Sequence, residues 1–540
     1  MKSPGRFFLS LLWGLASAST AVFAIDGNAM KPPMGWNTWE GIGPTFVGAD
    51  LKKAADTMAA RLKQYGYEYI VADRGWEGSE TSLDAYGRFI PAGRGFDTEV
   101  AGSLKGLADY CHNRGLKFGI WGIRGVPRAA YTQSLPIKGT TYTAKDIGDI
   151  TSTCPWNSFN YGIKWTHPGA QAYINSVVEL YASWGIDLIK IDDLLTKNTA
   201  EVYHKYDVAG YRTAIRNSGK PMVYSLSPGN SMTVDYAPHA IQNVDFFRTA
   251  GDLWDYWSST SKSSISMMFQ KASDYNQFTG PGHWADLDML PIGTLRTGPS
   301  MLTDTEQQTA MSLWCIFRSP IILGHDIRSL NPQIMRIIAN EEVIAVNQNS
   351  TNSQKIFDQD NLVIWTSDVP GTGTPITKNV AFFNLGPSTA TMSVTLSQLG
   401  YSGPCRVRDL WAKAALPDVT TSFSASIPSH GSGMYKISPV SVSVAENTTS
   451  PVQSSEVMKV LMGKTQLTIS YSVPFNGPVS IGLYTLRGVL VRTIVHEHKN
   501  AGNYTTVLNF GTGLSSTSLR CVLVAKIGRQ TFSKKVVIVK

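Results

Sequence analysis

The sequence predicts an α/β chain built on a parallel sheet, followed by an antiparallel β-sandwich and a second small all-β domain. Three observations predict it. From about residue 33 to 330, short apolar runs alternate with amphipathic segments of helical period. From about 341 that texture gives way to residues alternating in polarity, as in Asn361–Thr366, Asn379–Asn384 and Thr391–Leu396, ending near Ser438. After a Ser/Pro/Val/Thr-rich stretch, PVSVSVAENTTSPVQSS at 439–455, the alternation resumes in Gln466–Ser472, Val479–Tyr484 and Cys521–Ile527. The expected divisions are 25–340, 341–438, a linker at 439–455, and 456–540.

In the first region the strand candidates are Tyr69–Asp73, Lys117–Ile123, Leu188–Asp192, Met222–Ser227 and Phe246–Ala250. Helical segments run over Ala49–Tyr65, Gly102–Arg114, Gly169–Trp184 and Val208–Ser218. Strand-then-helix repetition fits a barrel or a doubly wound sheet. No GxGxxG follows the first strand, which removes the main support for a dinucleotide fold.

Ahead of this lies a segment with the marks of a secretory signal. Lys2 and Arg6 precede an apolar run from Phe7 to Ala18, and Val22-Phe23-Ala24 fits a cleavage site, so residues 1–24 are expected to be removed and the chain secreted. No later stretch is apolar enough to span a bilayer. The net charge is +8, but residues 456–540 alone carry eleven Lys and Arg against Glu456 and Glu497. The basic balance therefore belongs to the tail and implies no nucleic-acid partner for the rest. Five widely spaced cysteines, 111, 154, 315, 405 and 521, form no metal-like cluster and leave at least one thiol unpaired within the chain.

Side chains that do chemistry in parallel α/β folds collect at the C-terminal ends of strands. Asp73 in IVADRGW, Asp192-Asp193 in LIKIDDL, Asp252 in FFRTAGD, and Asp286 and Asp288 in GPGHWADLDML all follow apolar runs. Such carboxylates suit glycosidic bond cleavage, which needs a pair of them about the anomeric carbon. Strand alternation puts Lys190 and Asp192 on one face, with Ile189, Ile191 and Asp193 on the other. The isoleucines pack outward, so Lys190 and Asp192 face the mouth. A lysine there keeps Asp192 ionised, as a nucleophile requires. Asp193 reads as a helix cap or as a supporting partner. Asp252 lies on a Gly-containing turn, where it would protonate a leaving oxygen, and Arg248 would grip a sugar hydroxyl or orient the nucleophile. Trp39, in PPMGWNTW, offers an apolar wall for a sugar face.

Taken together and in order, PPMGWNTW, YIVADRGW, LIKIDDL, FFRTAGD, GPGHWADLDMLPIG and LWCIFRSPIILGHDIRSL resemble glycoside hydrolase family 27, the α-galactosidase and α-N-acetylgalactosaminidase family. The resemblance runs from about 32 to 436 and includes NVAFFNLG and RVRDLW of the sandwich. It implies a (β/α)8 TIM barrel and a double displacement that retains configuration, with no cofactor. By motif, Asp192 corresponds to the nucleophile and Asp252 to the acid/base. Trp39, Asp73, Trp121, Lys190, Arg248 and Asp288 correspond to residues around the sugar. The expected substrate is an oligo- or polysaccharide with terminal α-D-galactosyl residues. Double displacement also implies that Asp252 starts protonated, with its pKa raised.

The sequence departs from the family pattern at three places. Arg74 stands where a second hydroxyl-reading aspartate is usual. Ser227, in Ser225-Leu226-Ser227-Pro228-Gly229, stands where a bulkier acid is usual, which implies a wider pocket near the sugar's 2-position. Leu194 replaces a half-cystine. These changes admit α-N-acetylgalactosamine, β-L-arabinopyranose or α-glucan units, and a catalytically inactive sugar-binding protein is the alternative of a different class. The long insert from Arg124 to Tyr161 resembles inserts in a bacterial branch of the family. Its Trp156 and Tyr161 either form an outer subsite or pack the insert down. The tail, through SIGLYTLRGVLVRTIV and KKVVIVK, resembles C-terminal sorting or FlgD-like β domains of secreted proteins from Bacteroidota and related bacteria, which implies contact with secretion machinery. A carbohydrate-binding module is the alternative.

Overall fold

The computed structural model describes residues 26–440 and 458–538, apart from 92, 97–100, 196–201, 229–231, 374, 463–465, 474–475, 486–489, 510–518 and 528–529. The signal segment, most of the linker and Gly229 lie outside the described residues. The chain divides into two units at 441/442.

Eight parallel strands form the heart of the first unit: β1 Met34–Asn37, β2 Tyr69–Ala72, β3 Lys117–Ile123, β4 Leu188–Asp192, β5 Val223–Leu226, β6 Phe246–Arg248, β7 Trp284–Asp286 and β8 Ile321–Leu323. They pair in chain order from β1 to β7, with β8 against β1. Leu290, just past β7, bridges in parallel to Leu323 in β8, and its N–H donates to the Ile322 carbonyl at 2.8 Å. That bridge closes the ring and excludes the doubly wound alternative. β1, β7 and β8, of three or four residues each, are not among the strand candidates read from the sequence.

Alternation along each strand builds the barrel interior in layers. Tyr69, Val71, Leu188, Val223, Phe246 and Trp284 form an apolar floor. Two residues further along lie Lys190, Ser225, Arg248 and Asp286, all buried. Asp192 follows two residues after Lys190, at the mouth. The odd-parity partners Ile189, Ile191, Tyr224 and Phe247 pack outward against the helices. Gly169–Ser183 and Lys205–Ser218 are two of these helices. The helix over Gly48–Thr57 runs on as a π turn at Met58–Leu62 and a 3-10 turn at Lys63–Tyr65. It stops at Gly66, whose φ of 101° a side chain would resist.

The insert after β3 folds into a three-stranded sheet of Val126–Pro127, Asn157–Ile163 and Gly148–Cys154, with short helices at Arg128–Thr132 and Ala144–Ile147.

The β-sandwich begins at Thr351, not at 341. Glu341–Asn349 is a helix, capped by the Asn340 side chain, which accepts from the Glu342 and Val343 N–H groups. Its Val343, Ile344, Val346 and Asn347 are buried, a three-to-four spacing inside what the sequence read as the start of strand texture. Eight strands follow between Thr351 and Pro439, in sheets of six and two. Val363, Trp365, Ala381, Phe383 and Met434 join the same core as the barrel helices. The Phe383 ring sits 5.0 Å from Phe269, and Trp365 sits 6.1 Å from Phe317.

The second unit has seven strands between Met458 and Ile538, in sheets of three and four. Their alternating inner faces, Leu467, Ile469, Tyr471 and Val473 against Val479, Ile481 and Leu483, share one core with Leu523, Ala525 and Ile527.

Because Phe383 is wholly buried in a core shared by barrel and sandwich, Phe383→Ala is expected to cost about 3–5 kcal/mol. Urea denaturation followed by tryptophan fluorescence checks this. A single transition shifted as a whole is expected, rather than early loss of the sandwich alone.

Candidate active site

The barrel mouth gathers residues from five strand ends. Trp39, Asp73, Arg74, Trp121, Trp156, Lys190, Asp192 and Asp252 line a pocket of about 180 Å³. Sequence reasoning named all eight, and the fold brings them to one place.

On the β2–β4 side, Lys190 Nζ donates to Asp73 Oδ2 at 2.8 Å. Asn37, at the end of β1, donates its Nδ2–H to the same oxygen at 2.8 Å. The lysine's hydrogen bond thus goes to Asp73, and its effect on Asp192 is exerted through space. Burial works against the Lys190 ammonium, but the Asp73 and Asp192 carboxylates outweigh it and hold the group charged. Asp192 accepts from Trp121 Nε1 at 3.1 Å and from the Asp193 N–H at 2.8 Å. Its carboxyl lies above the usual carboxylate range, because burial and the neighbouring Asp252 oppose its charge more than Lys190 and Arg248 favour it. Asp193 turns away, with φ of 60°, into a buried pair with Arg124 at 3.0 Å. It supports the loop from below.

On the β6–β7 side, Arg248 is the hub. One terminal nitrogen donates to Asp252 Oδ1 at 2.9 Å and to Ser227 Oγ at 3.3 Å. The other donates to the Ala250 carbonyl and pairs with Asp288 Oδ2 at 3.0 Å. Asp288 also accepts from the Leu253 N–H, which fixes the turn carrying Asp252. Ser227 is wholly buried against Arg248 and does not line the pocket. The serine therefore holds the arginine instead of widening the space around a sugar.

The Asp252 side chain is 55% exposed. Desolvation would raise its pKa, but Arg248 and Lys190 prevail, and it lies below the usual range. The expectation of a raised value is thus reversed in the free site, because Arg248 pairs directly with Asp252 at 2.9 Å.

Of three further residues, Arg296 and Glu40 carry no sequence signal of their role, and Asn37 carries one only as a helix cap. Arg296 lies over both the Trp39 ring at 4.5 Å and the Trp254 ring at 4.9 Å, and donates to the Trp39 carbonyl. It stiffens the wall from a loop distant in sequence. Glu40 is buried with neither carboxylate oxygen hydrogen-bonded among the described residues. It fills the space left by Gly324, where a Cβ would meet Oε2 at 1.8 Å. Burial, with Asp288 and Asp252 nearby, keeps its proton on well above the usual range. Asn37 sits inside PPMGWNTW, and a residue of its type ahead of a short helix is a legible cap.

The insert divides its two aromatic residues between different tasks. Tyr161 packs internally, 5.3 Å from Tyr131 and under the Arg128 guanidinium. Trp156 lines the pocket.

A family model described as alpha galactosidase A matches residues 31–146 and 159–349. A model described as the alpha galactosidase C-terminal beta sandwich domain matches 359–437. An α-galactosidase from Coffea arabica is 30% identical over 77% of this chain and 95% of its own length. Alpha-galactosidase A from Cellvibrio japonicus is 28% identical over 66% of this chain and 79% of its own. The crystal structure of a family 27 β-L-arabinopyranosidase from Geobacillus stearothermophilus is 37% identical, with a TM-score of 0.72 over 77% of this chain and 98% of that one.

Asp286, behind the site, is pushed up to about 7 by burial and by Asp288. A carboxyl raised in the folded state gives stability that is present at acid pH and lost as pH rises through that value. The Asp286→Asn variant removes this dependence and can still accept the 2.8 Å bond from the Asp288 N–H. The expected outcome is that the variant gains stability relative to the parent between about pH 4 and 8, measured by denaturation across that range.

Proposed function

We propose that this chain, which belongs to the alpha galactosidase A family of glycoside hydrolases, is a retaining exo-glycosidase that releases terminal α-D-galactosyl residues. The observation that carries the reading is the placement of Asp192 and Asp252 in one pocket, each with its own partners. Asp192 attacks the anomeric carbon, while its second oxygen stays anchored by the Asp193 N–H. Asp252 protonates the departing oxygen. It then deprotonates a water that frees the covalently held sugar, so bonds and protons balance over two steps. Trp39, braced by Arg296, supplies the flat apolar face, and Asp73 with Lys190 supplies hydroxyl partners.

In the free site Asp252 is held low by Arg248. A bound sugar replaces the water around this half-exposed carboxyl, which opposes its charge and restores the proton that the first step needs.

A second reading, hydrolysis of β-L-arabinopyranosides, is supported by the likeness to the arabinopyranosidase. That sugar has the ring configuration of α-D-galactose without its sixth carbon. The leader at 1–24 supports secretion, and the separate, basic second unit supports a role in sorting to the outside.

Asp192→Asn is expected to lower kcat on a nitrophenyl glycoside on the order of 10⁴-fold or more, with the melting curve preserved. Proton NMR of the first-formed sugar is expected to show the substrate's own anomer; the opposite anomer would eliminate the double displacement. Since kcat/KM reports the free enzyme, its fall with rising pH is expected to begin at lower pH than the fall of kcat, which reports the complex.

A further inference from the structure

Two cations at the site pair with its carboxylates. Lys190 is bound to Asp73, and Arg248 to Asp252 and Asp288. Arg74 lines the same pocket but pairs with no carboxylate among the described residues. Its guanidinium lies over the Phe159 ring of the insert, 5.7 Å from the centroid. An aromatic prop of this kind holds a guanidinium in place and leaves its N–H edge free for an acceptor.

The strand order says which part of a sugar this edge meets. Arg74 follows β2 and Asp252 follows β6, and in a ring of eight these ends lie across the mouth from each other. Asp252 serves the leaving oxygen, so Arg74 faces the opposite end of the ring, where carbons 4 to 6 lie. Trp156 lines the same pocket, and it lies in the stretch 147–158 between the two blocks of the family match.

Resting on the glycosidase reading above, we infer that Arg74 selects a terminal sugar of galactose configuration that carries an oxyanion, a carboxylate or a sulfate ester, on the side away from the scissile bond. Either group matches the guanidinium fork with two parallel hydrogen bonds, whereas a neutral hydroxymethyl group satisfies one.

Four substrates test this: the 4-nitrophenyl α-D-galactopyranoside, its 6-sulfate, the corresponding α-D-galacturonide, and the β-L-arabinopyranoside. The full-length protein is expected to show kcat/KM about tenfold or more higher on the sulfate or the uronide than on the neutral galactoside. Which of the two leads identifies the anion. In Arg74→Gln the ratio of anionic to neutral kcat/KM is expected to fall about tenfold. A higher value on the neutral galactoside or the arabinopyranoside overturns the inference and leaves the glycosidase reading standing. So does an unchanged ratio in the variant. Hydrolysis of none of the four overturns both.

Discussion

Two buried cations decide what the barrel mouth can be. A parallel barrel brings strand ends together, and here those ends carry Asp73, Asp192, Asp252, Asp286 and Asp288, with Glu40 beside them. Left to themselves, six carboxyls in so small a volume would repel one another or protonate indiscriminately. Lys190 and Arg248 sort them. Lys190 ties Asp73 to the β4 side. Arg248 ties Asp252 and Asp288 to the β6 side. Glu40 and Asp286, which touch neither cation, are pushed up by burial and by the neighbouring carboxylates. The contacts of these two side chains, Lys190 and Arg248, set above an apolar floor, organise the carboxyls of the mouth.

Much of this was legible because strand alternation is a strong rule. The pattern in LIKIDDL places Lys190 and Asp192 on one side and Asp193 on the other, and the structure has that arrangement, with Asp193 drawn into the Arg124 pair. What alternation does not give is the partner across the sheet. Lys190 finds Asp73 two strands away, and no spacing along the chain encodes that meeting. Ser227 shows the same limit. Its place in the motif suggested an open position, but two residues beyond Ser225 it is still inside the barrel, within reach of Arg248. Arg296 was invisible for a related reason: a single arginine in a loop has no pattern, and only the fold lays it over Trp39 and Trp254. The helix at Glu341–Asn349 was missed because its polar residues break the apolar run at the point where strand-like alternation starts.

The sandwich is tied to the chemistry as well as to the core. The loop from Asp252 to the helix at Ile265 carries Trp257, whose ring stacks 4.2 Å from His430 of the sandwich. His430 is in turn held at 2.7 Å by Glu306, a capping residue of the helix at Asp304–Phe317. The acid-bearing loop is thus seated on the sandwich.

Cys111, Cys154, Cys315 and Cys405 are all buried free thiols, and burial pushes each one up from its ordinary thiol pKa. Thiols in that state are poor nucleophiles and slow to exchange. The barrel and its sandwich consequently owe nothing to the redox poise of their surroundings. Among the described residues every cysteine of the barrel and its sandwich keeps its thiol, so neither needs a disulfide to hold its shape.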